Sequence, residues 1–240
     1  MSIKVNTLSK RYGAQWAVNA ISFSVSPGEI VGFLGPNGAG KSTTMKILAG
    51  FIPQTAGDVT MCGLDLKEHS LEIRKKVGYL PENNPLYLDM YVAEFLLFSA
   101  ELAGVKNTRT ALEKAIELTQ IVDERKKKIG QLSKGYRQRV GLAHALIHDP
   151  SILILDEPSS GLDPNQAIEM RSVIKQLGTE KTILLSTHIM QEVEAMCGRV
   201  IILDQGKIIA DDTLIGLKKT AKGQSLEDIF RNLTNHVGSI

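Results

Sequence analysis

The run Gly35-Pro36-Asn37-Gly38-Ala39-Gly40-Lys41-Ser42-Thr43 has the spacing G-x-x-x-x-G-K-[ST], between a short apolar run and a segment of helical periodicity. Glycines placed this way let successive backbone N–H groups converge on phosphate oxygens. A helix starting behind them adds its unsatisfied donors and the positive end of its dipole. Lys41 brings a full positive charge to the β- and γ-phosphates. Ser42 offers a hydroxyl to a Mg2+ ion bridging those phosphates, and Thr43 adds a further donor in the first helical turn. The chemistry these residues suit is nucleoside-triphosphate binding. A dinucleotide fold would need G-x-G-x-x-G and has no use for the Lys-Ser pair, so that reading fits poorly.

Ile152-Leu153-Ile154-Leu155-Asp156-Glu157 is an apolar strand ending in two acids. Its carboxylates therefore emerge at the C-terminal edge of a sheet, where open α/β sheets bind ligands. There Asp156 would hold Mg2+, usually through water, and Glu157 would polarise the water that attacks the γ-phosphate. Acids ending a buried strand are often mere surface residues, and it is the phosphate loop upstream that favours the catalytic roles. His188 follows the strand-like run 182–186 and is expected to open the next helix, which would bring it to the same edge. From there it could hydrogen-bond the γ-phosphate and the attacking water. His69, His144, His148 and His236 have no such placement and read as structural.

These residues need a frame. Residues 2–8 and 18–25 alternate with period two and read as antiparallel strands, with Pro27-Gly28 turning the chain into a strand at 29–34 and a helix at 41–49. After a strand at 77–80, ended by Pro81, the pattern turns helical over 91–103, 111–122 and 134–147, the last behind Ser133. Strands resume at 152–155, 182–186 and 200–203. The helix between the first two opens at Asp163-Pro164, an N-cap acid before a proline whose missing N–H costs nothing there. Residues 204–207 form a hairpin-type turn into a strand at 208–210, and an amphipathic piece at 226–233 closes the chain. The expected fold is α/β: a P-loop NTPase core with a mostly parallel sheet, an N-terminal antiparallel β subdomain, a helical subdomain inserted at 82–147 and a C-terminal helical extension at 211–240. The whole chain, 1–240, reads as one domain.

Composition narrows the class. At 240 residues and 43% hydrophobic content the chain can bury a sizeable core. Its densest apolar stretch, 86–100, is broken by Asp89 and Glu94, well short of a membrane span. The N-terminus offers no secretory signal, so a cytosolic address is expected. Cys62 and Cys197 lack metal-site spacing and read as two buried thiols. The net charge of +2 argues against nucleic acid. One basic run, Arg125 to Lys128 with Lys134, Arg137 and Arg139, reads either as a solvated face or as a binding patch.

At this point the order of motifs resembles the ATP-binding subunits of ABC transporters along almost the whole chain. Leu132-Ser133-Lys134-Gly135-Tyr136 looks like the family's LSGGQ signature and lies, as that motif does, upstream of the acid pair. The resemblance implies an ATPase that dimerises head to tail, as a homodimer or pseudo-dimer, around two ATP molecules with Mg2+. Ser133 and Gly135 would then bind the γ-phosphate held by the opposing subunit. It also implies that Tyr12, otherwise a strand-end packing residue, stacks on adenine, and that Ser160-Gly161-Leu162-Asp163 is the D-loop crossing the dimer interface. Stacking gives affinity with little base specificity.

Two departures stand out. Where the family usually has glutamine, Tyr79-Leu80-Pro81-Glu82 puts a carboxylate beside the expected metal, and Glu82 is read as a working Mg2+ ligand. The signature carries Lys134 and Tyr136 in place of glycine and glutamine. Together with Glu82 and Gln224-Ser225-Leu226-Glu227-Asp228-Ile229-Phe230, this resembles ABC-2 type exporter subunits. Within them, Tyr79 to Tyr91 and His188-Ile189-Met190-Gln191-Glu192-Val193-Glu194 look most like subunits associated with bacterial gliding motility. The resemblance places the chain at the cytoplasmic face of a membrane beside a separate integral membrane permease subunit.

Tyr79, Tyr87, Tyr91, Phe95 and Phe98, five of the twelve aromatics, read either as the surface for that permease or as core of the helical subdomain. The alternative function is a soluble ABC ATPase acting on nucleic acid or translation, for which the basic run would matter. Against it, the gap of about 115 residues between Lys41 and Asp156 leaves no room for a long coiled coil or zinc insertion.

Overall fold

Period-two alternation shapes the N-terminal part of the computed structural model, which describes residues 1–221 and 223–234. Strands β1 (Ile3–Tyr12) and β2 (Gln15–Val25) pair antiparallel, with Ile3 opposite Val25 and Val5 opposite Phe23, all buried. β4 (Ala56–Met61) and β5 (Leu64–Asp65) extend this sheet to the order β2-β1-β4-β5. Neither strand was expected, because β4 contains glycine and aspartate and buries only Val59 and Met61. Its strand character comes from pairing with β1 rather than from its own pattern.

The second sheet has the order β10-β9-β3-β8-β7-β6. Strands β3 (Ile30–Leu34), β6 (Val77–Leu80), β7 (Ile152–Asp156), β8 (Thr182–Thr187) and β9 (Arg199–Asp204) are mutually parallel, and β10 (Lys207–Thr213) folds back antiparallel on β9. Alternation sorts β7 between two apolar layers. Ile152 and Ile154 face a core shared with α1 (Lys41–Leu48) and the antiparallel sheet, whereas Leu153 and Leu155 face a core shared with α6 (Pro164–Leu177) and α7 (Met190–Met196). A strand buried on both faces reads as a continuous apolar run, as β7 does.

A third apolar cluster belongs to α3 (Val92–Leu102), α4 (Thr108–Leu118) and α5 (Lys134–Leu146), centred on Leu96, Ile116 and Val140. The short α2 (Ser70–Arg74), α8 (Leu214–Thr220) and the terminal α9 (Leu226–Thr234) complete the α-helices of the described residues.

The structure corrects several boundaries. The helix expected at 111–122 starts at Thr108 and stops at Leu118, because Gln120 turns left-handed (φ 57°) and sends Ile121 back into the core. β10 continues to Thr213, held by pairs between Arg199 and Asp211, so residues 211–213 are strand rather than helical extension. Residues 222 and 235–240 of that extension lie outside the described residues. His188 lies between β8 and α7 instead of opening a helix, since Thr187 Oγ1 accepts the Ile189 N–H and the helix begins at Met190. Of the two thiols, Cys197 is buried, with burial pushing its pKa up to about 12, but Cys62 is part-exposed in the β4–β5 turn.

Candidate active site

β3 delivers the chain into the phosphate loop at Gly35, and α1 leaves it at Lys41. The loop is tied down from outside: Gly206 N–H donates to Ala39 O at 3.1 Å, and Asn19 N–H donates to Gly206 O at 2.8 Å. Gly40 closes it at φ 103°, and a Cβ there would lie 2.3 Å from the Ala17 carbonyl oxygen, so both backbone angle and space demand glycine. The Lys41 amine folds back over the loop and donates to Gly35 O at 2.7 Å and Pro36 O at 3.1 Å. Burial lowers its pKa, against the charges of Glu157, Asp156 and Glu82, which hold the proton on. Asn37, Gly38 and Ala39 complete the loop, with Thr43 half-buried in the first turn of α1.

The acid pair arrives opposite this loop at the C-terminal end of β7. Ser42 Oγ donates to Asp156 Oδ1 at 3.2 Å, and Ser186 Oγ donates to the same oxygen. Glu157 turns the chain sharply, in the left-handed region at φ 52°, which costs an unbranched non-glycine residue roughly 1–2 kcal/mol. Its N–H compensates by donating to both Ser186 O and Ser186 Oγ at 3.1 Å. That turn aims the Glu157 carboxylate between an imidazole and an ammonium group: Oε2 shares a 2.8 Å hydrogen bond with His188 Nδ1, and Oε1 lies 4.0 Å from Lys41 Nζ. Burial raises the Glu157 pKa, only partly offset by His188 and Lys41.

Lys41, Ser42, Asp156, Glu157 and His188 thus meet at one sheet edge. Ser186 belongs to the same network and was missed by sequence reasoning. The available signal was a hydroxyl residue at the end of an apolar strand parallel to the one carrying the acids. Among the described residues no cluster of three or more His, Cys, Asp or Glu could hold a metal alone. The adjoining hydroxyl and carboxylate of Ser42 and Asp156 are hard oxygen donors, the kind Mg2+ takes when phosphate supplies the rest of its shell.

Other singled-out residues lie outside this hydrogen-bonded cluster, although the charge of Glu82, beyond the end of β6, is felt at Lys41. Tyr12 stands at the tip of the β1–β2 hairpin, 52% exposed with the Lys10 amine 5.2 Å from its ring centroid, and is not packed into the sheet. Glu82 is exposed in the loop after β6, where its carbonyl accepts from Gln138 Nε2 at 3.5 Å. Ser133 caps α5, its hydroxyl accepting the Tyr136 N–H at 3.3 Å, and Gly135 is buried in the first turn of that helix. Among the described residues no hydrogen bond or ion pair links Ser133 or Gly135 to the phosphate loop.

Three residues of the basic run are engaged within the chain. Arg125 forms a two-pronged pair with Glu113, Lys127 pairs with Glu124, and buried Arg139 pairs with Glu169. Of the aromatics, Phe95 is core while Tyr87, Tyr91 and Phe98 are exposed. A cavity of about 1060 Å³ opens between the end of α1, β6 and the three-helix cluster, lined by Phe51, Tyr79, Leu102, His144 and His148 among others. Those histidines are held inside, His144 by Ser99 Oγ and His148 by the Val77 carbonyl, and burial lowers both pKa values. His69 lies among Glu68 and Glu72 at the surface, and His236 is outside the described residues. No helix of the described residues is long and apolar enough to cross a membrane.

The family model for ABC transporters matches residues 18–160. The chain is 38% identical to the bacitracin transport ATP-binding protein of Bacillus licheniformis, over 90% of this chain and 71% of that protein. It is 36% identical to the Nod factor export ATP-binding protein I of Burkholderia orbicola, over 95% and 76%. Among solved structures, the ATP-binding subunit of an ABC transporter superposes with a TM-score of 0.87 at 29% identity, covering 97% of this chain and 99% of that one. A dimeric bacterial ABC transporter cassette superposes with a TM-score of 0.80 at 25% identity, covering 88% and 98%.

Proposed function

The chain belongs to the ABC transporter ATP-binding family and is an ATPase of that family, and from this premise we propose that it works as an exporter subunit of the ABC-2 type. Two copies, or this chain and a similar one, sandwich two ATP molecules. The phosphate loop and acid pair of each face Ser133 and Gly135 of the other. The observation that carries this reading is the convergence of Lys41, Ser42, Asp156, Glu157 and His188 on one sheet edge.

The roles follow from chemistry. The glycine-rich loop from Gly35 to Gly40 and Thr43 bind phosphate, Lys41 neutralises it, and Tyr12 stacks on the base. Glu157 takes a proton from the attacking water, and His188, bonded to the Glu157 carboxylate, orients that water and the γ-phosphate. Ser42, Asp156 and Glu82 would hold Mg2+, which neutralises charge developing on the phosphates. Residues 82–147 act as the helical subdomain, and the helices from Leu214 to Thr234 as a C-terminal extension of the single domain.

The partner is a separate integral membrane permease, with the chain peripheral on the cytoplasmic face. Its contact surface is the cavity beside Phe51 and Tyr79 and the neighbouring exposed aromatics. Relatives named for bacitracin transport and Nod factor export support an export role. The likeness to gliding-motility subunits suggests that process as the physiological setting. The reading predicts copurification with a polytopic membrane protein. Tight, salt-sensitive DNA or RNA binding without such a partner would overturn it in favour of a nucleic-acid ATPase.

A further inference from the structure

Gly135 is buried by a neighbour from its own chain. A Cβ on Gly135 would lie 2.5 Å from Gln166 Oε1, 2.6 Å from Gln166 Cδ and 3.1 Å from Gln166 Nε2, so the Gln166 amide lies flat against the glycine. The Gln166 amide nitrogen also reaches Ser133 Oγ at 3.5 Å. Gln166 is itself anchored, its backbone N–H donating at 3.0 Å to Asp163, the N-cap of α6 at the end of the 160–163 loop. A second strut runs the other way: the Lys134 amine sits over Gly161, 2.0 Å from where a Cβ would be. The turn carrying Ser133 and the loop 160–163 therefore lie against each other, with the Gln166 and Lys134 side chains between them.

A serine hydroxyl has one proton to give and two lone pairs to receive. Ser133 Oγ receives the Tyr136 N–H at 3.3 Å and faces the Gln166 amide nitrogen with its other side. With both lone pairs directed inward, its own proton points away from α5 and α6. We propose that Gln166 is a positioning residue that aims the Ser133 hydroxyl at the phosphate of the opposing subunit. This rests on the sandwich reading above, in which Ser133 meets that phosphate. It also assigns Gly135 a reason internal to the chain: a side chain there would displace Gln166.

The test uses full-length chain in a Glu157→Gln background, titrated with Mg-ATP while dimer formation is followed by light scattering. Gln166→Ala and Gln166→Met each raise the ATP concentration for half-maximal dimer roughly three- to tenfold, the range expected for one lost hydrogen bond. Gln166→Glu raises it further, on the order of a hundredfold, because a carboxylate accepts the Ser133 proton and adds a charge near the phosphate. In a Ser133→Ala background the Gln166→Met effect disappears, as coupling requires. Thermal melting of every variant stays near that of the parent, since the Asp163 cap is untouched. Wild-type behaviour of Gln166→Met would mean that the amide only fills space, and the inference would fall. Gln166→Glu no weaker than Gln166→Ala, or additivity with Ser133→Ala, would also overturn it. If the Glu157→Gln parent stays monomeric at saturating ATP, the sandwich reading itself is wrong, and the inference goes with it.

Discussion

Glu157→Gln is the sharpest perturbation, because it changes charge while keeping shape. Glutamine can keep the 2.8 Å hydrogen bond to His188 but removes a negative charge 4.0 Å from the Lys41 amine, both side chains being nearly buried. At that separation and an effective dielectric of about 20, the gross attraction is about 4 kcal/mol. Burial more than cancels it, since the Glu157 pKa is raised despite His188 and Lys41. Folding stability should therefore be unchanged or higher in the variant, while the Lys41 amine loses a competitor for phosphate. With Glu157 as the proposed general base, its replacement should lower kcat by roughly a hundred- to ten-thousandfold, or about 3–5 kcal/mol of barrier. The measurements are phosphate release at saturating Mg-ATP, equilibrium ATP binding and elution as dimer or monomer. Turnover within threefold of wild type, with no ATP-induced dimer, would refute the role given to Glu157.

The pH dependence has a defined sign. A base with a raised pKa loses activity at a higher pH, on acidification, than an ordinary carboxylate would, and the Gln variant lacks that limb. Between the ordinary carboxylate range and the raised value the folded chain binds more protons at Glu157 than the unfolded chain does. Stability from this group therefore falls as pH rises through that window, and the slope vanishes in the variant.

Three further outcomes test other parts. Glu82→Ala should shift the Mg2+ dependence of ATPase activity by roughly tenfold or more, and an unchanged dependence and rate would remove Glu82 from the metal set. Gly40→Ala, which combines φ 103° with a backbone oxygen 2.3 Å from the new Cβ, should cost about 2–5 kcal/mol in urea unfolding and abolish ATP binding; a variant as stable as wild type would contradict the loop geometry. Arg199→Ala removes a side chain bonded to Asp211 at 2.7 and 2.8 Å and to the Ser24 carbonyl at 2.9 Å, and should cost about 2–3 kcal/mol by the same assay. A loss below half a kilocalorie would show that these pairs are solvent-screened and do not clamp β10 and β2 to β9.

What could be read from residues alone was whatever depends on local pattern. The loop from Gly35 to Thr43, the acids ending β7 and the Asp163-Pro164 helix start are set by neighbours within a few positions, where sterics, caps and period-two burial leave few options. β4 escaped because its strand state is conferred by β1, some fifty residues away in sequence. Ser186 escaped because its hydroxyl acquires a role only when β8 lies beside β7 in register. Gln166 escaped for the same reason: nothing in α6 announces that its third residue will cover Gly135 at the start of α5. Local chemistry selected the nucleotide loop and its acids. Tertiary packing decided which distant hydroxyl meets those acids and which amide covers Gly135, because hydrogen bonds and van der Waals contacts act over a few ångströms of space, whatever the separation along the chain.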